Sequence, residues 1–252
     1  MIAMILAAGR GTRLEPLTRK TPKALVDIHG YPLIQIIAEK LKRAGFNRIL
    51  VNIHHHHDQM IHYLDKLKIQ GVEIIVSDEQ EQLLDTGGAI KKAAKLMKGA
   101  EAILVHNVDI LSDMDLRKLY QYHLKQHAAI TLAVKNRKSS RYLLMDQQQQ
   151  FCGWSNPDEN IRILRSPDTP NPGKIAFSGV YVFSPKLFDA FPEENAFPLF
   201  PWLLKLPDSF KVIMWDQGDS FWYEVGRTES LMEARDKLQV IPSHPGFLVE
   251  KT

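Results

Sequence analysis

The sequence predicts an α/β fold: a Rossmann-like, mostly parallel sheet flanked by helices, with a small β-rich subdomain in its second half. Three observations predict it. Residues 1–135 alternate short apolar runs with stretches of helical periodicity. The chain opens on an unbroken apolar run, Ile2 to Ala7, as a strand covered on both faces requires. Beyond residue 136 the pattern changes to short strands separated by turn-rich segments.

Each element follows from its local pattern. Pro32 to Ala44 carries Leu33, Ile36, Ile37, Leu41 and Ala44 at helical spacing, and Gly45 stops it. Arg48 to Ile53 reads as the second strand. His57 to Leu67 reads as a helix with Met60, Ile61, Leu64 and Leu67 on one face. Val72 to Val76 is a third strand, Gly88 to Met97 a helix and Ala102 to Val105 a fourth strand. Asp113 to His127 is a helix with Asp113 as its cap, and Ala129 to Val134 a fifth strand. Strand–helix alternation with short turns argues for a parallel sheet, whose ligands bind beyond the carboxyl ends of the strands.

In the second half, Leu143 to Met145 and Phe151 to Trp154 flank a polar turn and predict a hairpin. Ser155 to Lys174, rich in Pro, Asn, Asp and Gly, reads as a loop. Ile175 to Phe183 is a strong strand. Phe197 to Leu206 reads as a helix with prolines near its start. Phe210 to Trp215 and Phe221 to Glu224 read as strands. Thr228 to Leu238 closes the fold as a helix capped by Thr228.

Bulk properties narrow the function. The chain has 252 residues, enough for one domain with a sizeable core. We read one domain in three parts: a first half (1–135), a second half (136–240) and a tail (241–252). Lys plus Arg (32) barely exceed Asp plus Glu (29), and no dense basic run marks a nucleic-acid partner. The lone Cys152 excludes an internal disulfide and a multi-thiolate zinc site. The apolar start is short, lacks a basic leader and runs into a Gly-rich loop, so it reads as a buried strand and not a signal peptide. No apolar run approaches the roughly 20 residues that span a bilayer. A cytoplasmic protein without a membrane anchor is the expectation, with homo-oligomerisation left open.

The loop after the first strand carries the chemistry. It reads Leu6-Ala7-Ala8-Gly9-Arg10-Gly11-Thr12-Arg13-Leu14-Glu15-Pro16-Leu17-Thr18. Gly9 and Gly11 permit close backbone approach, so successive N–H groups can face phosphate oxygens. Thr12 adds a hydroxyl and Arg13 a charge-assisted contact. Leu14 stands where a dinucleotide fingerprint needs its third glycine, and no Gly-Lys-Ser/Thr ends a P-loop. Thr21-Pro22-Lys23-Ala24-Leu25-Val26 follows. Pro22 stiffens the backbone before Lys23, which suits a lysine balancing charge in phosphoryl transfer.

Together these residues resemble the sugar-phosphate nucleotidyltransferase superfamily, whose signature is Leu-Ala-Ala/Gly-Gly-x-Gly-Thr-Arg-Leu-x-Pro-Leu-Thr followed by Pro-Lys-Ala/Pro-Leu-Val. The resemblance extends through Thr86-Gly87-Gly88-Ala89-Ile90, Asn107 to Asp109, Phe177-Ser178-Gly179-Val180-Tyr181 and Trp222-Tyr223-Glu224-Val225-Gly226. It is strongest to compact members acting on N-acetylmuramate, mannose or heptose 1-phosphates with UTP or GTP, in cell-envelope nucleotide-sugar synthesis. It implies the nucleotide-diphospho-sugar transferase fold, an NTP and a sugar 1-phosphate as partners, and a nucleotide-binding half (1–135) followed by a sugar-phosphate-binding half (136–240). With the tail ending soon after the closing helix, a stand-alone catalytic domain is the expectation.

The implied chemistry needs a divalent cation, because a sugar phosphate dianion must attack a tetra-anionic NTP. Mg²⁺ is the expected cofactor. Asp109, just past a buried strand, is the first expected ligand and matches the family's metal-binding Asp. Glu224 is the second, in a place where the family usually carries Asp. Val108 departs from the Asn-Gly-Asp of muramate-type relatives. Resemblance also implies base binding by Gly87 and Gly88, and sugar binding by Asn107, Gly179 and Lys174. Glu79 or Glu81 could read base edges. Arg13, Lys23 and Asp109 are the expected catalytic residues, with Leu6, Ala7, Ala8, Gly9, Gly11 and Thr12 around the phosphates. His54 to His57 cannot converge on one metal, since successive strand residues point to opposite faces, and they read as a solvated loop. Two alternatives stand beside this reading. One is the same machinery acting on phosphocholine; the other is a non-catalytic nucleotide-sugar sensor, favoured by Glu224 and Val108.

Overall fold

The structure is a computed structural model that describes residues 1–166, 169–244 and 247–251. In chain order its elements are β1 (Ile2–Leu6), β2 (Asp27–Ile28), β3 (Tyr31–Pro32), α1 (Leu33–Arg43), β4 (Arg48–Ile53), α2 (His57–Lys66) and β5 (Glu73–Asp78). Then come α3 (Asp85–Ala93), β6 (Ile103–Asn107), β7 (Ile110–Ser112), α4 (Leu116–Gln126), β8 (Ile130–Lys135), β9 (Tyr142–Met145), β10 (Phe151–Asn156) and β11 (Ile161–Leu164). The chain continues through β12 (Gly173–Phe183), α5 (Leu199–Leu203), β13 (Val212–Asp216), β14 (Trp222–Glu224), α6 (Thr228–Lys237), β15 (Leu238–Val240) and β16 (Leu248–Glu250).

Four strands form the expected parallel core in the order β5-β4-β1-β6. The order reverses at β1, so the crevice between the carboxyl ends of β1 and β6 is a topological switch point. The apolar runs follow from burial on both faces. Ala3 and Ile5 of β1 face a core built with α1, α2, α4 and α6, while Ile2 and Met4 face a second core with α3 and α5. Each fully buried Leu or Ile there stabilises the fold by about 1.5–3 kcal/mol. No helix among the described residues is long and apolar enough to cross a membrane.

The fifth predicted strand, β8, does not continue the parallel set. The long β12 lies between β6 and β8 and is antiparallel to both. A bulge between Phe177 and Tyr181 interrupts its pairing with β8, and Gly179 takes φ +76° there. The first residues of β12 pair with β9, joining the antiparallel β9–β10–β11 ribbon to the main sheet. The β9–β10 hairpin forms as predicted, with Asp146 accepting from the N–H groups of Gln148 (2.9 Å) and Gln150 (2.8 Å).

Three local expectations need correction. Part of the Ser155–Lys174 segment is not loop: it holds the end of β10, all of β11 and the start of β12, since Ile161, Ile163 and Leu164 supply strand-forming side chains amid the turn residues. Pro167 and Asp168 of that segment lie outside the described residues. Helix α4 is capped by Asp115, which accepts from the Lys118 N–H at 2.9 Å, and not by Asp113. Helix α6 starts at Thr228 as expected, but its cap is Arg227 and not Thr228, with the Ser230 hydroxyl accepting the Arg227 N–H at 3.3 Å.

Candidate active site

Two short strands bring the carboxylates together. β7 begins just after Asp109 and pairs antiparallel with β14, setting Ile110 opposite Glu224. The Val225 N–H closes the ribbon on the Asp109 carbonyl at 2.9 Å. Residues separated by more than a hundred positions thereby share one edge of the crevice.

Each carboxylate has its own cation. Lys23 donates from Nζ to Asp109 Oδ2, and both side chains are nearly buried, at 11% and 14% exposure. Lys23 starts a single 3₁₀ turn set by Pro22, whose carbonyl accepts the Leu25 N–H at 2.8 Å. Arg13 Nη2 donates to Glu224 Oε1 at 3.1 Å, with side chains 55% and 40% exposed. An ion pair that open to water contributes about 0–1 kcal/mol, so it can rearrange for a ligand at little cost. The pairs meet at Gly226. A Cβ added there would lie 3.2 Å from Arg13 Nη2, 3.2 Å from Glu224 Oε1 and 3.6 Å from Asp109 Oδ2.

On the Lys23–Asp109 side lies a cavity of about 530 Å³ at the switch point. Leu6, Ala8, Gly9 and Asn107 line it. Gly9 is open, with no atom within 4 Å of a Cβ built on it. Gly11 takes φ +68°, and its carbonyl accepts the Thr18 hydroxyl at 2.8 Å, so the loop is pinned in shape. The Ala7 N–H is already used, donating to Asn52 Oδ1 at 2.7 Å. Asn52 Nδ2 in turn donates to Glu79 Oε1 at 2.8 Å, and the Leu84 N–H donates to Glu79 Oε2 at 3.2 Å. Burial pushes the Glu79 carboxyl above the usual carboxylate range, partly offset by these donors. Asn52 and Glu79 both line the cavity and form its polar wall.

On the Arg13–Glu224 side lies a larger cavity of about 790 Å³, walled by Arg137, Tyr142, Trp154, Phe177 and Phe200. Aromatic and guanidinium faces of this kind suit a polar ligand with flat apolar patches. Thr86 and Pro198 line both cavities, so the two adjoin.

The predicted residues divide accordingly. Leu6, Ala8, Gly9, Lys23, Asn107 and Asp109 face the smaller cavity; Arg13 and Glu224 face the larger. Asn107, expected at the sugar, thus stands on the switch-point side. Thr12 opens a 3₁₀ turn and lines neither cavity. Gly87 and Gly88 do permit a close approach, but to protein: a Cβ would lie 2.2 Å from the Phe197 ring and 2.1 Å from the Asn195 carbonyl oxygen. Their N–H groups both donate to the Phe197 carbonyl, and it is Asp85 and Thr86 of this turn that reach the cavity. Gly179 lies beside Ile110 and Asn107, where its positive φ bends β12 around the site. Lys174 lines neither cavity; its Nζ sits 5.1 Å over the Tyr142 ring.

The histidine run is more engaged than a solvated loop. His54 Nδ1 lies 2.7 Å from the Glu79 carbonyl and His56 Nε2 lies 3.1 Å from the Thr18 carbonyl, because the segment turns back across the signature loop. No cluster of three or more metal-ligating side chains exists among the described residues. Sequence reasoning missed Asn52, Gly226 and Arg137 as site residues. Asn52 left a signal as the one polar side chain inside an apolar strand. Gly226 sat within the recognised Trp222-to-Gly226 stretch. Arg137 left none, lying in a polar stretch typical of a surface loop.

An open glycine-bearing loop at the switch point, next to paired acids and cations, fits a transferase of nucleotide phosphates. The chain belongs to the nucleotidyl transferase family, whose model matches residues 2–240, and it is a nucleotidyltransferase. The N-acetylmuramate alpha-1-phosphate uridylyltransferase of Neisseria meningitidis serogroup B is 31% identical over 241 residues, covering 93% of this chain and 97% of that protein. The probable mannose-1-phosphate guanylyltransferase 1 of Oryza sativa subsp. japonica is 28% identical over 234 residues, or 90% of this chain and 62% of that protein. The crystal structure of HddC from Yersinia pseudotuberculosis superposes with a TM-score of 0.74 at 26% identity, covering 94% of this chain and 98% of that one.

Proposed function

We propose that the protein transfers a nucleotidyl group from an NTP to a sugar 1-phosphate in the cytoplasm, with Mg²⁺ held by Asp109 and Glu224. The observation that carries this is the meeting of two carboxylates, each with its own cation, beside Gly226 at the border of two cavities. The smaller cavity takes the NTP and the larger one the sugar phosphate. The relatives named above favour UTP or GTP with an N-acetylmuramate- or mannose-type 1-phosphate, to which the sequence resemblance adds a heptose-type one.

The donor set fits the metal. Two carboxylates around a space that a single Cβ would fill leave the remaining positions to phosphates and waters, as Mg²⁺ prefers. Bound there, the ion would neutralise phosphate charge. The chain's own residues do the rest. The Gly9–Gly11 backbone seats the phosphates. Lys23, anchored on its proline-set turn, and Arg13, free to swing from Glu224, offset negative charge as the acceptor approaches. An oxygen of the sugar phosphate attacks the α-phosphorus, the α–β anhydride bond breaks and pyrophosphate leaves. The attacking oxygen is already ionised, so neither a nucleophilic side chain nor a general base is required.

Pyrophosphate release with Mg²⁺, measured for the common NTPs against a panel of sugar 1-phosphates and phosphocholine, tests the proposal. Turnover in a sugar 1-phosphate cell, lost by at least about 100-fold in Asp109→Ala, is expected. Turnover with phosphocholine alone, or equal rates with and without a divalent ion, would overturn it.

A further inference from the structure

The larger cavity contains a charge that the fold leaves without a counter-ion. Arg137 is half-buried and forms no ion pair among the described residues. Its guanidinium stacks on the Trp222 ring, 3.5 Å from the centroid. Nη2 donates to the Phe177 carbonyl at 2.7 Å and Nη1 to the Lys138 carbonyl at 3.2 Å, while buried Nε has no partner. The platform beneath is fixed as well, since Trp222 Nε1 donates to the Ser178 carbonyl at 3.0 Å. Both groups are therefore tied to the bulge of β12. Trp222 and Glu224 are two apart on β14, so they share a face, and the stacked guanidinium lies on the same side as the acidic edge of the site.

A partly buried guanidinium without an anion is costly, and an arriving anion would relieve that cost. Burial pulls Arg137 below the usual guanidinium range, with Glu224 offsetting only part of the effect. Glu224 itself is bonded to Arg13. Arg137 lines the larger cavity together with Glu224.

We propose that Arg137, preorganised on Trp222, binds the phosphate of the acceptor sugar 1-phosphate and positions it beside Glu224. This rests on the acceptor reading of the larger cavity. Arg137 then takes the role that resemblance suggested for Lys174, whose ammonium lies over Tyr142 outside the cavity. The remaining donors of the fixed fork suit a phosphate, and a lysine could not reproduce both the stack and the fork.

The test has two independent readouts. The first is calorimetric binding of α-mannose 1-phosphate, glucose 1-phosphate and N-acetylmuramate 1-phosphate to the wild-type chain, without NTP, and to Arg137→Ala, Arg137→Gln and Arg137→Lys. All three variants should lose affinity for whichever sugar phosphate binds, by about 10- to 100-fold, as expected when a charge-assisted contact is lost. NTP affinity should stay within about two-fold, and added guanidinium should restore part of the loss in Arg137→Ala. The second is steady-state pyrophosphate release, in which KM for the acceptor should rise while KM for the NTP does not. A wild-type protein that binds both ligands without turnover would sink the transfer reaction and leave the Arg137 assignment to be decided by binding. The assignment is overturned if no sugar phosphate binds the wild type. It is equally overturned if the variants bind it normally, if NTP affinity falls in parallel, or if the loss follows Arg141→Ala or Arg227→Ala instead.

Discussion

At the residue scale, the site depends on what is absent at position 226. A methyl group there would lie within 3.2 Å of both Arg13 Nη2 and Glu224 Oε1. Both are the ends of long side chains, so they can move aside at little cost to the fold. Displacement of the same atoms removes them from the place where the proposed transfer needs them. Gly226→Ala is therefore expected to lower kcat by about 100-fold, as misplacement by about 1 Å does in other enzymes. Its thermal midpoint should stay within a few degrees of wild type. A full loss of folding, or full activity, would contradict this account. Lys23 and Asp109 were legible from residue types and motif; the need for glycine at 226 was not. The meeting of Arg13 with Glu224 was not, because it depends on the pairing of β7 with β14.

At the element scale, the first turn of α3 illustrates how a motif can be read correctly and its partner wrongly. Consecutive glycines signal close approach, but the approaching group is the 195–197 segment leading into α5. Phe197 covers Gly87, and the Asn195 carbonyl covers Gly88. That packing places Pro198 between the two cavities. Gly88→Ala would push a Cβ to 2.1 Å from a backbone oxygen that cannot rotate away. A loss of about 1–3 kcal/mol in denaturant unfolding is expected. An unchanged midpoint would show that the segment moves freely and that the contact does not matter. The turn gave no sequence signal for its partner, since more than a hundred residues separate the two.

At the scale of the whole molecule, burial of neutral histidines makes stability depend on pH. His106 lies inside the sheet, and its Nδ1–H donates to the Asn107 carbonyl at 2.8 Å. Burial, with Lys40 nearby, lowers it to about 3. His123 is lowered by burial to about 4. In the unfolded chain each takes up a proton near pH 6.5, while in the fold it does not. The unfolded state thus binds more protons between pH 6.5 and these values, and stability must fall as the solution is acidified through that window. Each histidine adds a slope of about 1.4 kcal/mol per pH unit. His106→Leu should remove one such contribution, flattening unfolding free energy between pH 6 and 4 without affecting its slope above pH 7. An unaltered acid slope in the variant would place the sensitivity elsewhere.

The sequence by itself determined the alternation of strands and helices, the switch-point loop with its glycines, the stiffened lysine and the acids Asp109 and Glu224. The elements and the loop are local matters of periodicity and backbone permission, and the acids were picked out by motif resemblance, all readable within a window of some twenty residues. The tertiary structure decided the rest. It inserted β12 antiparallel between β6 and β8, set Glu224 beside Asp109 through the β7–β14 ribbon, filled the glycine turn of α3 with Phe197 and Asn195, and stacked Arg137 on Trp222. Strand order and cross-chain stacking arise from contacts between distant segments. No local pattern encodes which of several compatible partners each surface will meet.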